Sequence, residues 1–277
     1  MATRLSSRLW LWYLPAGVGF AGALFFAGAI WVAVRGSAGR PIGSAPPAPA
    51  LAAVPKPTGE LFVLVLGDSL AKGTGDETGK GYAGVLMDRL KKSRPATVAN
   101  LAVPGAVSED VAQLVEGSNV RSLAASADLI LLSAGGNDLS HAVRESPGSA
   151  VQMTADVAKA RARYLENMKG ILGRLREANA TAPIYVLGLY DPFGAPGAGA
   201  DGSPGAARAR LSASVISGWN LLLAEAAFSS GNVHLVPTLD LFAARPDYLG
   251  LDRFHPGSAG YAAIADRVYQ LLPPALR

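Results

Sequence analysis

The sequence predicts an α/β fold with three layers, in which a five-stranded parallel β-sheet lies between two layers of helices. Two observations support this prediction. Five short, continuous apolar runs follow one another from residue 61 onwards, as expected for strands that are buried on both faces. A stretch of helical character separates each run from the next, and alternation of this kind produces parallel sheets covered by helices on both sides.

The predicted elements all lie in the C-terminal part of the chain, which we assign to a single domain at residues 60–277. The strands are predicted at residues 61–66, 97–102, 128–134, 183–189 and 232–237. The helices are predicted at residues 82–93, 108–116, 156–179, 208–228 and 258–272. Residues 191–205 are rich in Gly, Pro and Ala; they are predicted to form a mobile flap beside the site, because long irregular loops are often functional.

An uncharged apolar segment precedes this domain at residues 10–34, with aromatic side chains near both of its ends. As a helix it would be about 37 Å long, enough to cross a hydrocarbon core of ~30 Å. We therefore predict an uncleaved transmembrane helix as an N-terminal anchor at residues 1–35, with a cleaved signal peptide or a buried core helix as alternatives. Residues 36–59, rich in Pro, Ala and Gly, are predicted to form an extended linker.

The charges divide unevenly between the N-terminal segment and the domain. Residues 1–59 contain five of the 25 Lys and Arg residues of the chain and no acidic residue. Residues 60–277 therefore contain 20 basic residues and all 21 Asp and Glu residues. A nearly neutral domain without a basic run argues against a nucleic-acid partner. Two arginines lie on each side of the apolar segment, so the positive charges do not fix its orientation. The short N-terminal tail favours a domain outside the cytoplasm.

Polar residues and a glycine follow four of the five predicted strands, at the edge where open parallel sheets bind their ligands. Ser69 follows the first strand, Gly105 the second, Asn137 the third, and Asp252 and His255 the fifth. We predict Ser69 as a nucleophile, His255 as the base that activates it and Asp252 as the acid that orients the imidazole. The backbone N–H groups of Ser69 and Gly105 and the side-chain amide of Asn137 are predicted to bind the oxyanion.

Sequence neighbours support the role of His255. Pro256 restricts the residue before it to extended geometry and can open the helix that follows, so it presents His255 from a fixed turn. Asp68, before the nucleophile, is expected to organise its loop. His141 follows the Asn137 loop, so a role for His141 at the edge of the site is left open.

The residues present argue against a phosphate-binding loop, a metal site and a thiolate nucleophile. Residues 73–80 are similar to a phosphate-binding P-loop, but Thr74 stands where the motif needs its first glycine, and Gly81 where it needs Ser or Thr. The chain has no cysteine, and its histidines are scattered. We therefore predict neither a metal site nor a thiolate nucleophile.

The same residues resemble the GDSL/SGNH hydrolase family of esterases and lipases. Ser69, Gly105, Asn137 and His255 match the four residues that give the family its name, and Asp252 fits its Asp-x-x-His pattern. The likeness covers about residues 61–272. Runs at residues 67–76, 188–193 and 252–261 are similar to those of membrane-anchored bacterial GDSL lipase/acylhydrolases. The resemblance implies a flavodoxin-like fold, ester hydrolysis without a cofactor, and a site that accepts varied substrates.

The sequence thus predicts a membrane-tethered serine esterase or lipase, whose partners are the membrane and a small-molecule or lipid ester. Tethering near a lipid surface favours acyl lipids, with Tyr190 and Phe193 predicted to line the substrate site. An esterase that removes O-acetyl groups from glycans remains an alternative, as do transfer of the acyl group to another alcohol and a catalytically silent binding module. The oligomeric state is left open.

Overall fold

Five parallel strands form the central sheet of the computed structural model, which describes residues 59–144, 150–193, 204–243 and 245–277. The strands are β1 (Leu61–Gly67), β2 (Ala96–Asn100), β3 (Leu129–Ser133), β4 (Ile184–Leu187) and β5 (Val233–Val236). Their order across the sheet is β2-β1-β3-β4-β5, and every neighbouring pair is parallel. The predicted five-stranded parallel sheet is therefore confirmed.

The helices of the described residues include all five that the sequence predicts. They are α1 (Ser69–Lys72), α2 (Gly81–Leu90), α3 (Ser108–Glu116), α4 (Ser118–Ser126), α5 (Gly136–Arg144), α6 (Ala150–Ala178), α7 (Pro204–Phe228), α8 (Leu239–Phe242) and α9 (Ser258–Leu271), with short 3₁₀ helices at Pro246–Tyr248 and Pro274–Leu276. Helices α1, α4, α5 and α8 were not predicted from the sequence. Helices α6 and α7 begin earlier than predicted, at Ala150 and Pro204.

Two apolar cores lie on opposite faces of the sheet, because successive residues of a strand point to opposite sides. On β1, Leu61, Val63 and Val65 pack in the core that contains α2 and α9. Leu64 and Leu66 pack in the second core, with α3, α4, α6 and α7. Full burial of a Leu or Val side chain contributes roughly 1.5–3 kcal/mol. The apolar runs that predict the strands therefore also supply much of the stabilisation.

The described residues all belong to one of two units into which the chain divides, Ala50–Arg277. The predicted anchor at residues 1–35 lies outside the described residues, as does the predicted linker up to residue 58. Within the described ranges, no helix has both the length and the apolarity needed to cross a membrane. Of the predicted flap, residues 194–203 also lie outside the description, and residues 204 and 205 belong to α7 rather than to a loop.

Candidate active site

Ser69 lies at the carboxyl end of β1, where it is the first residue of the short helix α1. Asp68 caps this helix, because its Oδ1 accepts a hydrogen bond from the Leu70 N–H at 3.0 Å. The same Oδ1 accepts the hydroxyl of Ser133 from β3, and the Ser133 Oγ in turn accepts the Ala71 N–H. Burial raises the pKa of Asp68 despite these hydrogen bonds. Asp68 thus has the loop-organising position expected for it.

The His255 ring lies between Ser69 and Asp252. Its Nε2 is 2.9 Å from the Ser69 Oγ, and its Nδ1 is 2.6 Å from the Asp252 Oδ2. The ring is largely shielded from solvent, whereas the Asp252 side chain is about half exposed. The three side chains that the sequence assigned to catalysis therefore form one continuous line of hydrogen bonds, although Ser69 and His255 are far apart in the chain.

A tight turn before α9 presents His255. The Asp252 Oδ1 accepts the backbone N–H groups of Phe254 and His255, both at 2.9 Å, and Arg253, directly after Asp252, has a φ of 57°. The Gly250 N–H donates to the His255 carbonyl at 2.8 Å. Burial acts to raise the pKa of Asp252, but the hydrogen bonds from His255 and from the turn outweigh it and hold the pKa below its usual range.

Tyr190, which follows β4, contacts this turn from the other side. Its hydroxyl donates to the Phe254 carbonyl at 2.6 Å, and its ring stacks on Phe242 with centroids 4.3 Å apart. Tyr190 also lines the cavity described below, and so does Phe193, whose side chain is 62% exposed; their predicted contact with substrate stays a prediction. No local pattern in the sequence predicts this hydrogen bond, because Tyr190 and Phe254 lie 64 residues apart.

Asn137 lies in the first turn of α5, facing the same cavity as Ser69. Its Nδ2 donates to the Ala106 carbonyl at 2.9 Å, which fixes the amide and leaves its second hydrogen for a ligand. Gly105 precedes Ala106; it is exposed, has a φ of 84°, and is not a lining residue of the cavity. Among the described residues, we find no hydrogen bond from the backbone N–H of Ser69 or Gly105.

The Asp138 side chain holds α5 against α3. Its carboxylate accepts both the backbone N–H and the hydroxyl of Ser108, which is fully buried at the start of α3. The Ser108 hydroxyl also accepts the Asn167 amide from α6. Burial raises the pKa of Asp138, in spite of the hydrogen bonds from Ser108. Asp138 therefore fixes the position of Asn137.

A cavity of about 500 Å³ opens beside Ser69 and His255. One wall is a single face of α5, with Gly136, Asn137, Leu139, Ser140, Val143 and Arg144, since residues three and four apart share a helix face. The opposite wall is formed by α7, with Ser212, Val215 and Ile216. Phe193 and Phe254 complete an interior that is mostly apolar. The α5 wall was not predicted from the sequence, because α5 itself was not.

Comparisons with known proteins bear on the family and the fold of this chain. The model of the GDSL-like Lipase/Acylhydrolase family matches residues 65–263. The uncharacterized protein YpmR of Bacillus subtilis is 29% identical over 219 residues, which cover 76% of this chain and 81% of that protein. The crystal structure of the lipase Lip_vut3, from a goat rumen metagenome, has a TM-score of 0.67 and 23% identity, covering 78% of this chain and 100% of that chain. The acetyl xylan esterase AlAXEase has a TM-score of 0.56 and 16% identity, covering 77% and 100%. At these identities the two structures show a shared fold.

Proposed function

Because this chain belongs to the GDSL-like lipase/acylhydrolase family, we propose that it hydrolyses carboxylic esters with Ser69 as nucleophile, His255 as general base and Asp252 as the acid that orients the base. Family membership gives the class of enzyme, a lipase or acylhydrolase; the roles of the residues and the substrate are the proposal. One observation carries it: the hydrogen bonds that run from the Ser69 Oγ through the imidazole to Asp252.

In the first step, the Ser69 Oγ attacks the ester carbonyl while its proton passes to the His255 Nε2, 2.9 Å away. The Asp252 carboxylate, with its pKa held low, remains ionised and stabilises the imidazolium that forms. The imidazolium then gives its proton to the leaving alcohol, and an acyl group remains on Ser69. A water molecule repeats the sequence on the acyl-enzyme and releases the acid.

The oxyanion that forms in each step needs donors that are already in place. The backbone N–H groups of Ser69 and Gly105 and the second amide hydrogen of Asn137 are suited to this role, because none of them is committed to another acceptor among the described residues. The bond from Asn137 to Ala106 supports the assignment, since it joins the loop that carries Gly105 to the helix that carries the amide.

The cavity favours an acyl chain over an acetyl group as the part of the substrate that is bound. Its walls run outwards from Ser69 along α5 and α7 and are mostly apolar, and burial of apolar surface is what such a cleft offers a ligand. An O-acetyl glycan would leave this surface unfilled. We therefore propose an ester of a fatty acid as the substrate. The alternative, an esterase that removes acetyl groups from glycans, is tested by the assay below.

The proposed site of action is a membrane surface outside the cytoplasm. The uncharged segment at residues 10–34 supports this proposal, because its length suits a single membrane crossing. The test is extraction of membranes with alkaline carbonate, followed by protease treatment of intact cells. We expect the protein to stay in the membrane and the domain to be cleaved from outside. Release of the full chain by carbonate would contradict the anchor, and protection of the domain would contradict its placement.

The activity is tested by hydrolysis of p-nitrophenyl esters from acetyl to palmitoyl, comparing the full chain in nonionic detergent with its Ser69→Ala variant. We expect turnover that the variant lacks and that is higher for longer acyl chains. Equal turnover by wild type and variant would refute the role of Ser69. A preference for acetyl over every longer chain would favour the deacetylase, and a folded wild type without turnover the binding module.

A further inference from the structure

The loop between α1 and α2, at residues 73–80, is the segment that resembles a P-loop but lacks its defining residues. In the structure, this loop folds around the carboxylate of Asp76. The carboxylate accepts the backbone N–H groups of Thr78, Lys80 and Gly81 at 2.7–3.0 Å, and also the Thr78 hydroxyl at 2.8 Å. The backbone N–H groups of this loop therefore point at the Asp76 carboxylate, as those of a P-loop point at a bound phosphate.

The same carboxylate reaches the helix that follows the catalytic base. The Ser258 hydroxyl, at the first residue of α9, is 2.7 Å from the Asp76 Oδ1 and 2.6 Å from the Glu77 Oε2. Because a hydroxyl has one proton, it donates to one of these two carboxylates at a time. The Ser258 N–H donates to Glu77 at 3.1 Å. Ser258 is three residues after His255, so these bonds join the loop behind the nucleophile to the segment that carries the base.

Backbone packing makes this junction close. A Cβ placed on Gly75, whose φ is 91°, would be only 2.8 Å from both the His255 Cβ and the Pro256 carbonyl oxygen. The backbone of the loop therefore lies directly against the turn that presents the imidazole. The Tyr261 hydroxyl of α9 adds a hydrogen bond to the Thr74 carbonyl at 2.7 Å. A shift of this loop would move His255 relative to Ser69.

We propose that Asp76 is a positioning residue, which sets the distance between the Ser69 Oγ and the His255 ring by holding the loop after the nucleophile against the segment that carries the base. The inference rests on the proposed function, because it assigns Asp76 a role only if Ser69 and His255 react together. Although partial burial acts to raise the pKa of Asp76, hydrogen bonds from Ser258, Thr78 and Gly81 outweigh it and lower the pKa to about 2. Asp76 therefore remains a charged acceptor at any pH at which the enzyme would work.

The test compares Asp76→Asn with Glu77→Gln in the full chain, by measuring kcat, KM, the pH profile of kcat/KM and the thermal midpoint. Both variants remove one negative charge beside the Ser258 hydroxyl, but only Asp76 also accepts the backbone N–H groups of its own loop. We expect a fall in kcat of about 10- to 100-fold for Asp76→Asn, because an error of about 1 Å in alignment has an effect of that size. Its KM and the midpoint of its acid limb should stay unchanged. Glu77→Gln should lower kcat by a smaller factor, because Glu77 accepts hydrogen bonds from Ser258 but not from the loop.

Two outcomes would overturn the proposal. One is a kcat for Asp76→Asn equal to that of the wild type. The other is an equal effect of both substitutions together with a displaced acid limb, which would assign Asp76 an effect of charge on the imidazole instead of a positioning role. If Asp76→Asn does not fold, Ser258→Ala is compared with Glu77→Gln, because the Ser258 hydroxyl contacts both carboxylates. A kcat for Ser258→Ala below that of Glu77→Gln, at unchanged KM, supports the proposal, and a kcat no lower than that of Glu77→Gln overturns it.

The Ser69→Ala variant, measured in the same assay, separates this inference from the proposed function. Turnover that persists without Ser69 would refute the proposed function itself. Turnover that requires Ser69 but is insensitive to both Asp76→Asn and Ser258→Ala would refute the positioning role alone.

Discussion

Substitution of Val143 by Trp should shorten the acyl chain that the enzyme prefers. From Asn137 to Val143, α5 runs for six residues, or about 9 Å at 1.5 Å per residue. An extended chain advances about 1.2 Å per bond, as the protein backbone does over its three bonds per residue. The wall of the cleft therefore matches an acyl chain of about seven or eight carbons, and an indole at residue 143 would fill its outer end.

The size of the effect follows from the area that the cleft buries. An octanoyl group has six more methylenes than an acetyl group, and at about 0.8 kcal/mol for each one fully buried they would contribute about 5 kcal/mol. Because the mouth is open at Phe193, which is 62% exposed, we expect about half of that. A contribution of about 2.5 kcal/mol corresponds to a preference of roughly 50- to 100-fold in kcat/KM for octanoyl over acetyl esters in the wild type.

The assay is the ratio of kcat/KM for p-nitrophenyl octanoate to that for p-nitrophenyl acetate. In Val143→Trp, we expect this ratio to fall by about tenfold through a loss on octanoate alone, since roughly half of the buried methylenes would be displaced. Val98→Trp is the matched control, because Val98 is similarly exposed but lies on β2, away from the cavity. A wild type without chain-length preference, or a Val143→Trp variant that loses activity equally on both esters, would refute the placement of the acyl chain.

Three further predictions concern the residues around the nucleophile. Asn137→Ala should lower kcat about 100-fold or more at nearly constant KM, because it removes one oxyanion donor; an effect confined to KM would contradict that role. Asp252→Asn should lower kcat by roughly 10⁴-fold in a folded protein, because an amide facing the His255 Nδ1 holds the wrong tautomer; a loss below tenfold would argue against this orientation. Asp68→Asn should gain stability relative to the wild type as the pH rises. Burial raises the pKa of Asp68 in the folded state, so the wild type loses stability as the pH passes through that pKa. Urea unfolding at a series of pH values would show the trend, and a constant difference would contradict it.

The sheet was predictable because each of its strands is an uninterrupted apolar run, a pattern that needs no knowledge of the rest of the chain. Helix α4 was missed for the opposite reason, since it is short, contains several serines and buries only Val120 and Ala124. Helix α5 was missed because Gly135-Gly136-Asn137-Asp138 also suits a turn. Its position depends on the bonds from Ser108 to Asp138, which join residues 30 apart in sequence.

For the site, the order of strands was enough to predict that Ser69, Asn137 and His255 lie near one edge of the sheet. The structure brings Ser69 and His255 into contact and places Asn137 on the same cavity. Gly105 does not line this cavity, but the carbonyl of its neighbour Ala106 accepts a hydrogen bond from Asn137. The order of the strands does not indicate which side chains pack against that edge and support it. The contact from Tyr190 to the Phe254 carbonyl depends on packing between distant segments, which a single sequence does not encode in any local pattern.

The site consists of two parts, the catalytic residues with the loop around Asp76 and the apolar wall of the cavity, and we expect them to vary independently. The Ser69 Oγ is hydrogen-bonded to the His255 ring, and Asp76 is hydrogen-bonded to Ser258, at the start of the helix that follows His255. The wall that would contact the acyl chain is built from apolar side chains of α5 and α7, such as Val143 and Val215, which make no polar contact with the catalytic turn. Substitutions of these apolar side chains should therefore change the relative kcat/KM of different esters, whereas Asp76→Asn should lower kcat for all of them by the same factor. A variant of the wall that lowered kcat uniformly would show that the two parts are coupled, and would place the acyl chain closer to the His255 turn than the cavity implies.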